Sequence, residues 1–238
     1  MQNLHKIFLD KAHYLAKKNF GNTFPNPSVG CILVKEKKII ASGVTGKNGR
    51  PHAEEVVLKK AGSKAIDSTM YLTLEPCFHN SKQGSCVNQI IKSGIKKIYV
   101  AKIDEDKRTK GKSISFLKKN KIKTFVGLTS KKTENLNKFF FESIKNNRPY
   151  IKVKMAISKD EKIAWSDYSS KWISNVYSRN YAHKLRYQSQ AILTTGKTII
   201  KDNPRFTVRE KNKIIKYLPI IIVDQFLKIP LSSNVLKN

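Results

Sequence analysis

The chain has 238 residues, 39% apolar and 27% charged, which is enough for one large domain or two small ones with a buried core. No stretch approaches the ~18–20 consecutive apolar residues of a membrane span, and the N-terminus carries no apolar signal-peptide core. With 47 Lys and Arg against 17 Asp and Glu, the formal charge is +30. The lysines are spread over nearly every segment, with no basic tail and no interleaved aromatic platform. The charge therefore reads as a solvated surface rather than a nucleic-acid footprint, although its field favours a phosphorylated small substrate.

In chain order, residues 3–19 have the spacing of an amphipathic helix, with Leu4, Ile7, Phe8, Leu15 and Ala16 expected inside and Gly21 as its stop. Thr23-Phe-Pro-Asn-Pro-Ser28 is a loop in which two prolines restrict the direction of Asn26. Strands are expected at 29–34 and 38–42, joined by the charged turn 35–37. Residues 52–62 read as a helix with Ala53, Val56, Val57 and Ala61 on one face, Pro51 before it and Gly62 after it. A strand at 69–74, a short helix at 86–92, a strand at 95–103, a helix near 113–120 and a strand at 122–126 follow. A helix over 131–145, with Leu136, Phe139, Phe140 and Ile144 as its stripe, closes this half.

Asn146-Asn-Arg-Pro149 ends a helix cleanly and reads as a linker. The boundaries expected are a domain at 1–146 and a second at 150–238. In the second, Ile151–Ile157 alternates apolar residues with lysine as a half-buried strand does. A helix runs from Trp172 to about Gln188, a strand covers 191–194, and Leu218–Val223 is an apolar run.

One constellation carries chemistry. His52-Ala-Glu54 is followed by Glu75-Pro-Cys77 and then by Cys86. One imidazole and two thiolates are the three protein ligands of a catalytic zinc site, which keeps its fourth position open. A Glu two residues after the histidine is the proton carrier of the zinc deaminase signature. His52 and Cys86 fall at expected helix N-termini, where the free N–H groups favour anions. The gap of eight residues between the two cysteines departs from the two-residue gap of that signature. Cys31, in the run Val29-Gly-Cys-Ile-Leu-Val34, reads as a buried strand residue. Ligand cysteines and no disulfide pattern suit a reducing cytoplasm.

These residues resemble the bifunctional riboflavin-biosynthesis deaminase–reductase family over nearly the whole chain. The first half resembles it in Thr23-Phe-Pro-Asn-Pro-Ser-Val-Gly-Cys31, Pro51-His-Ala-Glu54, Thr73-Leu-Glu-Pro-Cys77 and the distant Cys86. The second half does so in Lys154-Met-Ala-Ile-Ser158, Ser170-Lys-Trp-Ile-Ser174, Leu185–Leu193 and Asp202-Asn-Pro-Arg-Phe-Thr-Val-Arg209. The resemblance implies an α/β fold: a cytidine-deaminase-like α/β/α sandwich followed by part of a dihydrofolate-reductase-like α/β domain. It implies Zn²⁺ on His52, Cys77 and Cys86, with Glu54 as the catalytic acid–base. The substrate implied is a diaminopyrimidinone carrying a ribosylamino 5-phosphate, contacted by Asn26, His79 and Lys82.

In the second half the resemblance implies Ser170, Arg186, Phe206 and Arg209 on the substrate side, and Ala156, Trp172, Thr198 and Asp202 on an NADPH cofactor. It also implies that the chain stops about halfway through the reductase, so weak or absent NADPH binding is expected. Departures are Glu161 in place of Gly, Gln225 in place of Ser, Phe78 in place of Ser, and residues 104–109, which stray from the pattern Asp-Pro-x-x-x-Val. A base in RNA is the alternative substrate, and a non-catalytic zinc module that binds nucleic acid is a third reading. A homo-oligomer is compatible with the sequence; a membrane partner is not expected.

Overall fold

The computed structural model describes residues 2–79, 84–128 and 135–237. It divides into two compact units, Met1–Tyr150 and Ile151–Asn238.

The first unit is a five-stranded sheet between helices. Its elements are α1 (Gln2–Asn19), β1 (Gly30–Lys35), β2 (Lys38–Val44), α2 (Ala53–Ala61), β3 (Thr69–Leu72), α3 (Cys86–Lys92), β4 (Lys97–Val100), α4 (Lys112–Lys119), β5 (Lys123–Val126) and α5 (Lys138–Asn146). The strand order is β2-β1-β3-β4-β5. β1 runs antiparallel to both β2 and β3, whereas β3, β4 and β5 are parallel. The inner strands are apolar apart from their end residues Lys35, Thr69 and Lys97 because both faces are covered, and their two-residue period sorts the side chains into two cores. Cys31, Leu33, Met70, Leu72, Ile98 and Val100 join residues of α2, α3 and α4 on one face. Ile32, Val34, Tyr71 and Tyr99 meet Phe8, Leu9 and Ala12 of α1 on the other. Gly30 is required where β1 passes α1, since a Cβ there would sit 1.9 Å from the Ala12 carbonyl oxygen.

Three expectations for this unit need correction. α1 buries Phe8, Leu9, Ala12 and Ala16, while Ile7 is 46% exposed; the face turned to the sheet is rotated from the one its bulkiest residues suggest. In α5 the buried side chain is Phe141, from outside the expected stripe, and residues 131–134 of the expected helix lie outside the described residues. The 95–103 strand shortens to Lys97–Val100.

The second unit contains α6 (Val176–Tyr187), β6 (Ile192–Thr195), α7 (Gly196–Asp202), β7 (Val208–Glu210), β8 (Lys213–Lys216) and β9 (Ile220–Val223). β6 and β9 pair in parallel, and β7 and β8 form a hairpin whose turn residues Lys211 and Asn212 both have positive φ. The expected strand at 151–157 is not formed. Ile151, Val153, Met155 and Ile157 are 74%, 81%, 67% and 48% exposed, because alternation alone makes no strand without a neighbouring ladder, and none is present among the described residues. The expected helix from Trp172 begins instead at Val176, where the Asn175 side chain accepts the Ser178 N–H and caps it.

Candidate metal centre

The site forms where the N-termini of α2 and α3 converge on the loop after β3. His52 is the N-cap of α2, in extended conformation. Its backbone N–H donates to Glu55 Oε2 at 2.5 Å, the reciprocal half of a capping box. Arg50 Nη1 donates to both oxygens of the same carboxylate, at 3.1 and 3.2 Å. The two adjacent acids of α2 thus divide their work. Glu55 fixes the backbone of His52, and Glu54, one position earlier, points into the protein and is only 4% exposed.

Cys77 and Cys86 are brought together by α3. Cys86 is its first residue, after the N-cap Ser85, and the Cys86 N–H donates to Cys77 Sγ at 3.3 Å. His52 Nδ1 lies 3.2 Å from Cys86 Sγ and 3.7 Å from Cys77 Sγ. All three ligand atoms fall within 4.8 Å of one another, and theirs is the one His/Cys/Asp/Glu grouping among the described residues that could hold a metal ion. A tetrahedral zinc with its usual bond lengths separates such ligand atoms by roughly 3.5–3.8 Å. The donor set and spacing therefore fit Zn²⁺ with little adjustment.

The four groups are electrostatically coupled. Cys77 is lowered to about 4, chiefly by its hydrogen bond with Cys86 and against burial, with His52 assisting. Cys86 is pushed up because it holds the proton the two sulfurs share. Burial pulls His52 down, but the Cys77 hydrogen bond and the Glu54 and Cys77 charges outweigh it, so His52 is raised. Burial raises Glu54 to about 7, and its carboxyl interacts with His52, Cys77 and Cys86. A carboxyl group that titrates near neutrality beside a metal-ligand cluster is suited to both taking and giving a proton.

Glu75 was read from the sequence only as part of the motif, yet it holds the floor of the site. It is 3% exposed, and its carboxylate accepts N–H groups from Asp104, Gly111, Ser113 and Ile114 at 3.2, 2.9, 3.2 and 3.3 Å. An acid in the apolar run Leu74-Glu75-Pro76-Cys77 was the available signal, because a buried charge must be partnered. Asn137 gave no such signal. It pairs with Ser28 as a strand neighbour would, accepting the Ser28 N–H at 3.0 Å and donating to its carbonyl at 2.9 Å.

Asn26 Nδ2 lies 3.2 Å from His52 Nε2 and donates to the Gly49 carbonyl at 2.9 Å. His79 is half-buried, and its Nδ1 has no hydrogen-bond partner among the described residues. Lys82 lies outside the described residues. In the second unit, the Arg186 guanidinium sits 5.9 Å from the Phe206 ring centroid, and Arg186 is lowered by burial and by the Arg209 charge. The Arg209 N–H donates to His183 Nδ1 at 3.1 Å. Ser170 and Ala156 are half-buried. Trp172 is 71% exposed, with the Arg179 guanidinium 4.3 Å from its ring centroid. Thr198, near the start of α7, donates its N–H to Thr195 Oγ1, and Asp202 is the exposed last residue of that helix.

Residues 2–102 match the family model for the cytidine and deoxycytidylate deaminase zinc-binding region, and residues 149–238 match that for the RibD C-terminal domain. The riboflavin biosynthesis protein RibD of Aquifex aeolicus is 42% identical over 99% of this chain and 66% of its own length. That of Escherichia coli is 35% identical over 86% of this chain and 56% of its own. The chain thus spans between about half and two thirds of the curated relatives. Among solved structures, Acinetobacter baumannii RibD superposes with a TM-score of 0.91 at 33% identity, covering 100% of this chain and 68% of that one. A Thermotoga maritima diaminohydroxyphosphoribosylaminopyrimidine deaminase/5-amino-6-(5-phosphoribosylamino)uracil reductase gives a TM-score of 0.87 at 32% identity, over 98% and 67%. With a cytidine-deaminase-like domain followed by a RibD C-terminal domain, the chain belongs to the RibD family of riboflavin-biosynthesis proteins.

Proposed function

We propose that the first unit is a zinc-dependent aminohydrolase that takes 2,5-diamino-6-(5-phosphoribosylamino)pyrimidin-4-one to the aminouracil with release of ammonia. The observation that carries this reading is the convergence of His52, Cys77 and Cys86 within 4.8 Å beside the buried, electrostatically coupled Glu54. A structural zinc site closes its fourth position with another ligand and needs no such carboxylate.

His52, Cys77 and Cys86 hold the metal. A bound Zn²⁺ supplies Lewis acidity and a water acidified toward neutrality. Glu54 takes the proton from the attacking water and delivers it to the departing nitrogen, a task suited to a group raised to about 7. Asn26 and His79 contact the substrate, and Lys82 is assigned to its phosphate. We assign 1–146 to this deaminase and 150–238 to the N-terminal part of an NADPH-dependent reductase that converts the ribosyl to a ribityl chain. There Arg186, Arg209, Phe206 and Ser170 serve the substrate, and Ala156, Trp172, Thr198 and Asp202 the cofactor. Two mutually repelling arginines, Arg186 and Arg209, are what an anionic substrate would stabilise. A base in RNA is not the substrate proposed, since the relatives are riboflavin-biosynthesis proteins. No helix among the described residues is long and apolar enough to cross a membrane, and free cysteines, two of them assigned to the metal, suit the cytoplasm.

The test is ammonia release from the phosphorylated diaminopyrimidine by zinc-loaded protein. Glu54→Gln retains zinc and loses about 10²–10⁴-fold in rate. A wild-type rate in that variant contradicts the mechanism.

A further inference from the structure

The loop entering α4 is folded against the segment after β3 that carries Cys77. Asp104 and Gly111 donate their N–H groups to Glu75 at 3.2 and 2.9 Å. Phe78 donates its N–H to the hydroxyl of the buried Thr109 at 3.4 Å. Residue 108 is therefore held next to a residue tied to the neighbour of a metal ligand. Between 107 and 112 the sequence Lys-Arg-Thr-Lys-Gly-Lys has four cations and no acid.

Arg108 differs from the lysines around it. Its Nε lies 3.1 and 3.0 Å from the two oxygens of Asp106, and its Nη2 lies 2.5 Å from Oδ2. Asp106 is the anchored partner, with its side chain 15% exposed, while that of Arg108 is 67% exposed. An exposed ion pair two residues apart adds little stability. What it does is hold the guanidinium plane in one orientation, with Nη1 bonded to no other group among the described residues. Pre-ordering a forked donor in this way lowers the entropy lost when it binds a carboxylate or phosphate. The His79 Nδ1 without a partner belongs to the same neighbourhood, because Asp106 interacts with His79 as well as with Arg108. Arg108 in turn interacts with Cys77.

We infer that Arg108, oriented by Asp106, binds the phosphate of the phosphoribosylated pyrimidine at the mouth of the metal centre and makes the deaminase selective for phosphorylated substrate. This rests on the aminohydrolase reading above and adds Arg108 to the residue assigned there to the phosphate. Lys112, by contrast, lines an open groove of about 550 Å³ with Phe78 and Phe116, and Lys110, on the same groove, pairs with Glu105 at 3.3 Å.

The test is calorimetric titration of ribose 5-phosphate, and of ribose as control, into the zinc-loaded full chain, with ammonia release measured in parallel. Arg108→Ala weakens ribose 5-phosphate binding about 10–100-fold, the loss that removing a charge-assisted hydrogen bond brings. Arg108→Lys restores part of it, and Lys112→Ala changes it less than about threefold at moderate salt. In the kinetic arm, Arg108→Ala raises KM for the phosphorylated pyrimidine and leaves the dephosphorylated nucleoside unaffected. Unchanged ribose 5-phosphate affinity in Arg108→Ala overturns the inference, as does an equal loss in Lys112→Ala. Phosphate binding that depends on Arg108 without any ammonia release supports the anion site and overturns the aminohydrolase reading instead.

Discussion

Asn26 places its side-chain amide 3.2 Å from His52 Nε2, the nitrogen turned away from the two sulfurs, while His52 Nδ1 faces Cys86 Sγ at 3.2 Å. The amide is braced in turn by its hydrogen bond to the Gly49 carbonyl. Gly49 has φ +83, and a Cβ there would sit 2.8 Å from Asn26 Nδ2, so a glycine is needed for this approach. A group that fixes the ring of a ligand histidine tunes its metal affinity. Asn26→Ala is expected to lower zinc affinity about 10–100-fold, measured by competition with a chromophoric chelator. An unchanged affinity would leave Asn26 with a substrate role alone.

Glu75 gives a stability prediction. Its carboxylate is buried and accepts four backbone N–H groups at and before the start of α4. Glu75→Ala leaves those donors unsatisfied and costs about 3 kcal/mol or more. Glu75→Gln costs less, since one amide oxygen still accepts. Urea unfolding monitored by far-UV circular dichroism reads the order. Equal stability of Glu75→Ala and wild type would contradict the bracing role.

Asp104 predicts a pH dependence. Burial raises its carboxyl from 3.8 to about 6, and the neighbouring Asp106 and Glu75 charges add to this. Between these values the folded chain binds a proton that the unfolded chain has released. The stabilising contribution is therefore present below about pH 4 and is lost as pH rises through about 6. Two units correspond to about 3 kcal/mol. Asp104→Asn removes this dependence, so the variant gains on wild type by up to about that amount between pH 4 and 7.5. A difference that does not change with pH in urea titrations would contradict the assignment.

The aromatic layer beneath α1 supplies a further prediction. His5 Nδ1 lies 2.8 Å from the Tyr71 hydroxyl and His5 Nε2 lies 3.1 Å from that of Tyr99. The His5 and Tyr99 rings stack at 4.2 Å, and Tyr99 stacks on Phe125 at 4.6 Å. His5→Ala removes both hydrogen bonds and the stack, and is expected to cost about 1–3 kcal/mol in urea unfolding.

What could be read before the structure was what rests on local chemistry. The grouping of His52, Cys77 and Cys86 beside a buried Glu54 was legible because the metal and proton carrier proposed for them need those residue types in that order. The buried strands were legible because their apolar runs admit few other uses. The face of α1 was not, since Leu9 and Ala12 are chosen by the sheet they meet and Ile7 is as apolar as either. Phe141 was missed for the same reason. The segment 151–157 had the right alternation but no ladder among the described residues. Glu55 and Glu75 act through backbone N–H groups, which every sequence carries alike, so only the folded chain shows which ones they reach.

The central claim is that His52, Cys77 and Cys86 bind zinc together, and elemental analysis of the purified protein tests it most directly. The account predicts one zinc per chain in wild type and Glu54→Gln, and loss of bound zinc in Cys77→Ser and Cys86→Ser. Active wild-type protein free of stoichiometric zinc, or undiminished zinc in both cysteine variants, would contradict it.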